Sequence, residues 1–340
     1  MKRLPILIAF LFVLSLLVLP VTAQRTVGSF ERVDPRFDEL VPADAKLEVL
    51  AEGFEWTEGP VWSKFEGYLL FSDIPRNTIY RWDEENGLRV YIRPAGYSGA
   101  EPPGFELGTN GLLFDAEGRL VACDHGNRQI VRFDTTNFTR TTLADRYEGK
   151  RLNSPNDAVF RSNGDLYFTD PPYGLRGLND SPLKELPYNG VYRLSADGEL
   201  TLLTDELSFP NGIAFSPDES HVYVNADYNR IMRYAVNADG TLSNGEVFIE
   251  GEGSDGIKVD ERGNVYTTSG AGPGEVRITS PEGVRLGTLK LPVFNREPAV
   301  QICATNIAFG DDDSKGLYIT ACEHNYRVQM NVAGIRPQPK

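Results

Sequence analysis

From position 58 onward the chain repeats one short phrase six times: an acid or amide, usually followed by a small residue, then an apolar strand. The phrases open at Glu58 (Glu-Gly-Pro-Val-Trp), Asn110 (Asn-Gly-Leu-Leu-Phe), Asn156 (Asn-Asp-Ala-Val-Phe), Asn211 (Asn-Gly-Ile-Ala-Phe), Asp255 (Asp-Gly-Ile-Lys-Val) and Asn306 (Asn-Ile-Ala-Phe-Gly). A period of roughly 40 to 60 residues is that of a propeller, whose units each bury their faces only against neighbours. Because every phrase opens on a side-chain oxygen, the same reading sets six oxygen donors around one axis.

Each phrase is followed by a turn and a second apolar strand, at 68–72, 120–123, 166–169, 222–225, 265–268 and 317–320. Alternating aromatic and β-branched residues between Gly, Asn and Asp turns are hairpin signals. A third strand carries an arginine between apolar neighbours in every unit: Arg81, Arg132, Arg193, Arg233, Arg277 and Arg327. These are structural positions, since a third strand lies away from the axis. Outer strands follow at 88–92, 139–143, 200–203 and 247–250, but the last unit runs out near Val332. The apolar-alternating segment 46–51 is left to complete it. The expected fold is all-β, a six-bladed β-propeller of four-stranded blades with its ring closed by that N-terminal strand. Antiparallel pairing then assembles one active face from 73–77, 124–127, 170–189, 225–229, 269–274 and 321–325. Within it, 171–187 is the longest loop and the candidate lid.

The organisation expected is a signal peptide over 1–23, an N-terminal arm over 24–44 that is loose, the propeller over 45–334 and a tail over 335–340. Met1-Lys2-Arg3 precedes an apolar run that ends at Val21-Thr22-Ala23, a small-residue cleavage site. A retained membrane anchor is the alternative. No later segment is apolar enough to span, so no stable membrane insertion is expected after cleavage. The formal net charge of −14 repels phosphate backbones and argues against nucleic-acid binding. Three cysteines make no disulfide framework, although Cys303 and Cys322 fall on adjacent antiparallel segments and could pair after export. Cys123 would be left over. Nothing in the sequence indicates an oligomeric state.

Of the six opening residues, two are carboxylates and four are amides. Hard oxygen donors in this number suit Ca²⁺, with Mg²⁺, Mn²⁺ or Zn²⁺ as alternatives. Asn-Gly and Asp-Gly also make tight turns without any ligand. That explanation fails at Glu58, because Glu is a poor turn residue and Gly59-Pro60 already supplies the bend. His125 and His324 sit at equivalent places in the second and sixth units, as substrate contacts or as hydrogen-bonded turn residues. There is no Gly-x-Ser-x-Gly elbow, His-Glu-x-x-His helix or dinucleotide glycine fingerprint.

The motifs Glu58-Gly59-Pro60-Val61-Trp62, Ser154-Pro155-Asn156-Asp157, Pro210-Asn211-Gly212 and Ser254-Asp255-Gly256 resemble those of the gluconolactonase, or SMP-30 and regucalcin-like, family of six-bladed propellers. The resemblance runs from about residue 45 to 330. Tyr167-Phe168-Thr169-Asp170-Pro171-Pro172-Tyr173-Gly174 and Asp124-His125-Gly126-Asn127 are similar to its bacterial gluconolactonase branch. It implies metal ligands at Glu58, Asn156, Asn211 and Asp255, with Asp255 also the general base. Substrate contacts are expected at His125, Asp157 and Tyr173, while Asn110 and Asn306 are axial or supporting residues. Animal relatives carry an Arg where this chain has Ser154, so their sugar contacts do not transfer. The function implied is a secreted or periplasmic metal-dependent hydrolase that opens a small-molecule lactone, by carbonyl polarisation and carboxylate-assisted attack of water. Another esterase or phosphotriesterase activity at the same metal, or a non-catalytic interaction propeller, are the alternatives.

Overall fold

The computed structural model describes residues 26–134, 136–292 and 303–335, and within them the chain is almost entirely β. The repeat appears as consecutive antiparallel hairpins, for instance Ala158–Phe160, Leu166–Asp170, Gly190–Leu194 and Leu200–Thr204 in one four-stranded sheet. Apolar side chains of one sheet meet those of the next. Val121, Cys123 and Ile130 pack in this way against Phe160, Phe168 and Tyr192.

Both the six phrases and the family resemblance lead one to expect six four-stranded blades. The propeller has five, with seven, four, four, four and five strands, alongside two small two-stranded pairings. The difference arises in the strand Leu47–Ser63, which is 17 residues long. Its first part pairs with Gly316–Gln329 (Ala51 with Asn325, Val49 with Tyr326), and its second part pairs with Tyr68–Asp73 (Val61 with Leu70). Phe54-Glu55-Trp56-Thr57 contains no breaker and is rich in strand formers, so the last and first repeat units share one continuous sheet. The segment 46–51 pairs with the last unit as expected, but because its strand runs on into the first unit the two are fused where two separate blades were expected.

The arm is not loose. Ser29–Arg32 adds to the outside of the fifth sheet, with Phe30 opposite Leu289. The short helix Phe37–Leu40 buries Phe37, Leu40 and Val41 in a core shared with Ile278, Leu286 and Val328. The apolar residues at 30, 37, 40 and 41 give this segment a face to bury. Gly287 leaves the space that the Phe37 ring fills, since a Cβ there would stand 2.2 Å from it. The leader at 1–23 and the tail beyond Ile335 lie outside the described residues.

Third-strand arginines pair with carboxylates: Arg233 with Glu246 and Arg327 with Glu48 across to a neighbouring strand, Arg193 with Asp165 at the foot of one (2.7 Å), and Arg277 with Glu275 on its own strand. Cys303 and Cys322 form a disulfide, and Cys123 is a buried free thiol.

A belt of hydrogen bonds runs around the axis and joins the start of each inner strand to the next. Ser72 Oγ donates to the Asn110 carbonyl (3.0 Å), Gly111 N–H to that of Asn156 (2.8 Å) and Thr169 Oγ1 to that of Asn211 (2.8 Å). Gly212 N–H then donates to the Asp255 carbonyl (2.7 Å), Gly256 N–H to that of Thr305 (2.8 Å), and Thr305 Oγ1 closes on Thr57 (2.6 Å). The belt accounts for the small residue of the repeated phrase. A Cβ on Gly59 would stand 2.0 Å from the Asn110 carbonyl oxygen, and one on Gly212 2.3 Å from that of Asp255.

Gly212→Ala is therefore expected to destabilise the fold by about 1–3 kcal/mol. Gly272→Ala, whose Cβ meets nothing closer than 3.4 Å, should stay within about 0.5 kcal/mol of the parent; urea denaturation of both variants measures the contrast. Replacing both Cys303 and Cys322 by serine should cost about 2–4 kcal/mol in the same measurement, and peptide mapping without reductant should recover their two peptides linked.

Candidate active site on the propeller axis

The residues that open the phrases are held by their own backbones at one end of the axis. Asn156 N–H donates to the Thr169 carbonyl (2.9 Å), Asn211 N–H to that of Asn225 (3.2 Å), and Asp255 N–H to that of Thr268 (3.1 Å). Side chains at the ends of the second strands fix the approach to these positions. Asp170 accepts the N–H groups of Asn153 (2.7 Å) and Ser154 (2.8 Å), Asp73 those of Glu55 and Trp56, and Asn225 that of Ser254 (2.6 Å). Burial pushes the Asp170 carboxyl up to about 7 even though these N–H groups pull it down.

Glu58, Asn110, Asn156, Asn211 and Asp255 all line one cavity of about 280 Å³, together with Tyr173. Glu58 is 2% exposed and accepts the Gly59 N–H (3.0 Å). Its carboxyl is held well above the usual range, first by burial and then by the negative charge of Asp255. Asp255 is likewise raised by burial, against the pull of hydrogen bonds from Asn211 and Glu58 and with the added push of the Glu106 charge. Among the described residues, the buried amide oxygens of Asn110 and Asn211 have no hydrogen-bond partner.

No cluster of three or more His, Cys, Asp or Glu side chains suited to a metal is present among the described residues. The donors gathered here are two carboxylates and several amides instead. Two carboxylates that repel each other in a buried site, beside orphaned amide oxygens, fit a hard divalent cation, which would neutralise the pair and take up the free oxygens. The fit is chemical: oxygen donors favour Ca²⁺ or Mg²⁺ over softer ions.

Asp157 and His125, expected as substrate contacts, and Asn306, expected as an axial or supporting residue, are not in the lining of this cavity. Asp157 and Asn306 line a second, smaller cavity at the other end of the axis, where Asp157 meets Lys258 Nζ at 3.4 Å. Neighbouring residues at a strand start point in opposite directions, so Asn156 and Asp157 face different cavities. Asp157 is not a wall of the cavity that holds Asn156. Asn306 also hydrogen-bonds to Glu58, which makes it a support for the carboxylate. His125 is fully buried behind the wall, with Nδ1 2.5 Å from Glu106 Oε2. His324 is buried near Glu52, at 3.5 Å.

The residue-by-residue reading did not single out Glu106, Trp56, Asn225 or Tyr228 in the wall. Asn225 and Tyr228 belong to the face segment 225–229 that pairing geometry had marked. Glu106 comes from the Pro- and Gly-rich stretch after Ile92, which no repeat signal covers. Tyr173 is stacked on Phe209, with ring centroids 5.8 Å apart, and Phe209 lies against Tyr228 at 5.4 Å, so one side of the cavity is aromatic.

Comparison with known proteins agrees with this architecture. The family model described as SMP-30/Gluconolactonase/LRE-like region matches residues 56–323. A gluconolactonase of Zymomonas mobilis is 37% identical over 324 residues, covering 91% of this chain and 88% of that protein. A solved gluconolactonase of Xanthomonas campestris superposes with a TM-score of 0.77 at 31% identity, over 92% of this chain and 99% of the other. Pig regucalcin is more distant, at 26% identity over 310 residues, 87% of this chain and 91% of its own length. A shared sequence model over most of the propeller, with relatives matched nearly end to end, shows that the chain belongs to the SMP-30/gluconolactonase/LRE-like family.

Proposed function

We propose that the axial cavity opens lactones of sugar acids by hydrolysis and that the chain is a lactonase of the gluconolactonase type. Membership of the family and the likeness to two gluconolactonases support the reaction class. The observation that carries the chemistry is the facing pair Glu58 and Asp255, buried with Asn156 and Asn211 at the floor of the cavity. These four residues would hold a divalent cation, Ca²⁺ by the hardness of their oxygens, with Mg²⁺, Mn²⁺ or Zn²⁺ as alternatives. Such an ion, when bound, supplies Lewis-acid polarisation of a lactone carbonyl.

The remaining work falls to the protein. Asn306 and the Gly59 N–H hold the Glu58 carboxylate in place. Asn211 holds that of Asp255. The Tyr173 hydroxyl, hydrogen-bonded with Asn211 and Tyr228, fixes the aromatic wall against which a sugar ring can lay its C–H face. Burial raises the Tyr173 hydroxyl far above its ordinary range, so it is a hydrogen-bond group and not a base. Asp255 is the base that the family resemblance implies, but its oxygens are engaged by neighbours, and as a ligand it would be a weaker one.

Export to the periplasm or the medium is part of the same reading. The leader at 1–23 supports it, as does the Cys303–Cys322 bond, since disulfides persist in oxidising compartments. Among the described residues no helix is long and apolar enough to cross a membrane.

Titration at constant pH with glucono-1,5-lactone tests the function. Calcium-loaded protein should open the ring, and excess chelator should lower kcat/KM roughly a hundredfold or more. Glu58→Gln and Asp255→Asn should do the same with unchanged circular dichroism and weakened Ca²⁺ binding by calorimetry. Hydrolysis that persists undiminished in chelator would remove the metal from the mechanism. Absence of turnover on a panel of aldonolactones would remove the lactonase reading.

A further inference from the structure

One wall carboxylate stands outside the metal-donor set and yet is built into place. Glu106 lines the cavity, and its side chain is 32% exposed, whereas Glu58 and Asp255 are buried. It sits on the connection between Gly87–Ile92 and Thr109–Phe114. That connection is pinned on both sides of Glu106. The Tyr97 N–H donates to the Leu107 carbonyl (2.7 Å), the Gly108 N–H to that of Ile74 (2.9 Å), and the Arg176 N–H to that of Pro103 (2.9 Å).

The motif Asp124-His125-Gly126-Asn127 is the seat of this connection. Asp124 accepts the Asn127 N–H (2.9 Å) and closes the turn. Gly126 admits the Leu107 carbonyl oxygen, which a Cβ would meet at 2.2 Å. His125 has no exposed surface, reaches Glu106 Oε2 with Nδ1 at 2.5 Å, and has no partner on Nε2 among the described residues. A carboxylate oxygen accepts hydrogen bonds, so His125 Nδ1 is the donor in this pair. A buried imidazole whose one hydrogen bond goes to a cavity carboxylate has the geometry of an orienting group.

We propose that Glu106, oriented by His125, is the catalytic group that moves the proton in lactone opening. The proposal rests on the lactonase reading and replaces Asp255 in the base role. As water attacks the lactone carbonyl carbon, a carbon–oxygen bond forms and a water O–H bond breaks, with its proton passing to Glu106. The tetrahedral intermediate then collapses, the ring C–O bond breaks, and protonated Glu106 returns the proton to the departing ring oxygen. Lactone and water become the hydroxy acid, and Glu106 ends ionised as it began. His125 is a positioning residue that stays behind the wall.

Kinetics of three sets of variants decide it. Glu106→Gln should lower kcat by roughly 10²–10⁴-fold, with KM for glucono-1,5-lactone within about threefold and Ca²⁺ binding by calorimetry unchanged. Formate should restore part of the activity of Glu106→Ala. His125→Leu should lower kcat about tenfold or more at constant KM, and His125→Asn, which keeps a donor, should recover part of that loss. A Glu106→Gln enzyme with kcat within about threefold of the parent overturns the assignment, as does loss of Ca²⁺ affinity in step with kcat, which would make Glu106 a ligand. Turnover by the parent protein in the same assay keeps failure of the Glu106 assignment distinct from failure of the lactonase reading.

Discussion

Everything at the site depends on the closed belt of hydrogen bonds around the axis. A sheet of a propeller is held to its neighbours mainly by apolar packing, which is non-directional and leaves small rotations cheap. The belt adds direction. Each link is worth only about 1 kcal/mol net, but its donor or acceptor belongs to the opening residue of an inner strand or to a residue beside one. The carbonyls of Asn110, Asn156, Asn211 and Asp255 are all acceptors in it. The backbone that binds one unit to the next is therefore the backbone that aims the side chains into the cavity.

Fixing those side chains has an electrostatic cost. Two carboxylates, Glu58 and Asp255, are brought out of water to face each other, and both are pushed toward their neutral forms. Buried amides with idle oxygens accompany them. A fold that tolerates this arrangement holds in reserve the affinity a cation would release. Tyr173 and Tyr228, braced by the Phe209 ring packed against both, add apolar surface to a strongly polar cavity.

Much of this was legible in the sequence because the repeat writes its geometry into residue types. Glycine after Asn110, Asn211 and Asp255 records the close approach of a neighbouring strand, and the opening oxygen records the axis. The bend at Gly59-Pro60 distinguished Glu58 from a turn residue. What was hidden depended on partners far along the chain. Nothing local in Phe54-Glu55-Trp56-Thr57 tells whether it is a linker or a strand; that it bridges two units and reduces the blades to five is set by pairing with residues near 322. The arm looked loose because its apolar residues are sparse, and only the space over Gly287 gives Phe37 a place. Asp157 lines a different cavity from Asn156 because adjacent positions at a strand start face opposite ways, and Glu106 carried no signal because it sits outside every repeat.

The strand that fuses two units also sets an order on folding. The first sheet contains Leu47–Ser63 paired with Gly316–Gln329, and Thr57 hydrogen-bonds to the carbonyl of Cys322 across 265 positions of sequence. No shorter length of chain can complete that sheet, so the ring stays open until Gly316–Gln329 has emerged. Contacts of such long range fold slowly, and until then Leu47–Ser63 presents an unpaired edge that invites association with other chains. Proteins of this build thus spend their most vulnerable interval between synthesis and closure.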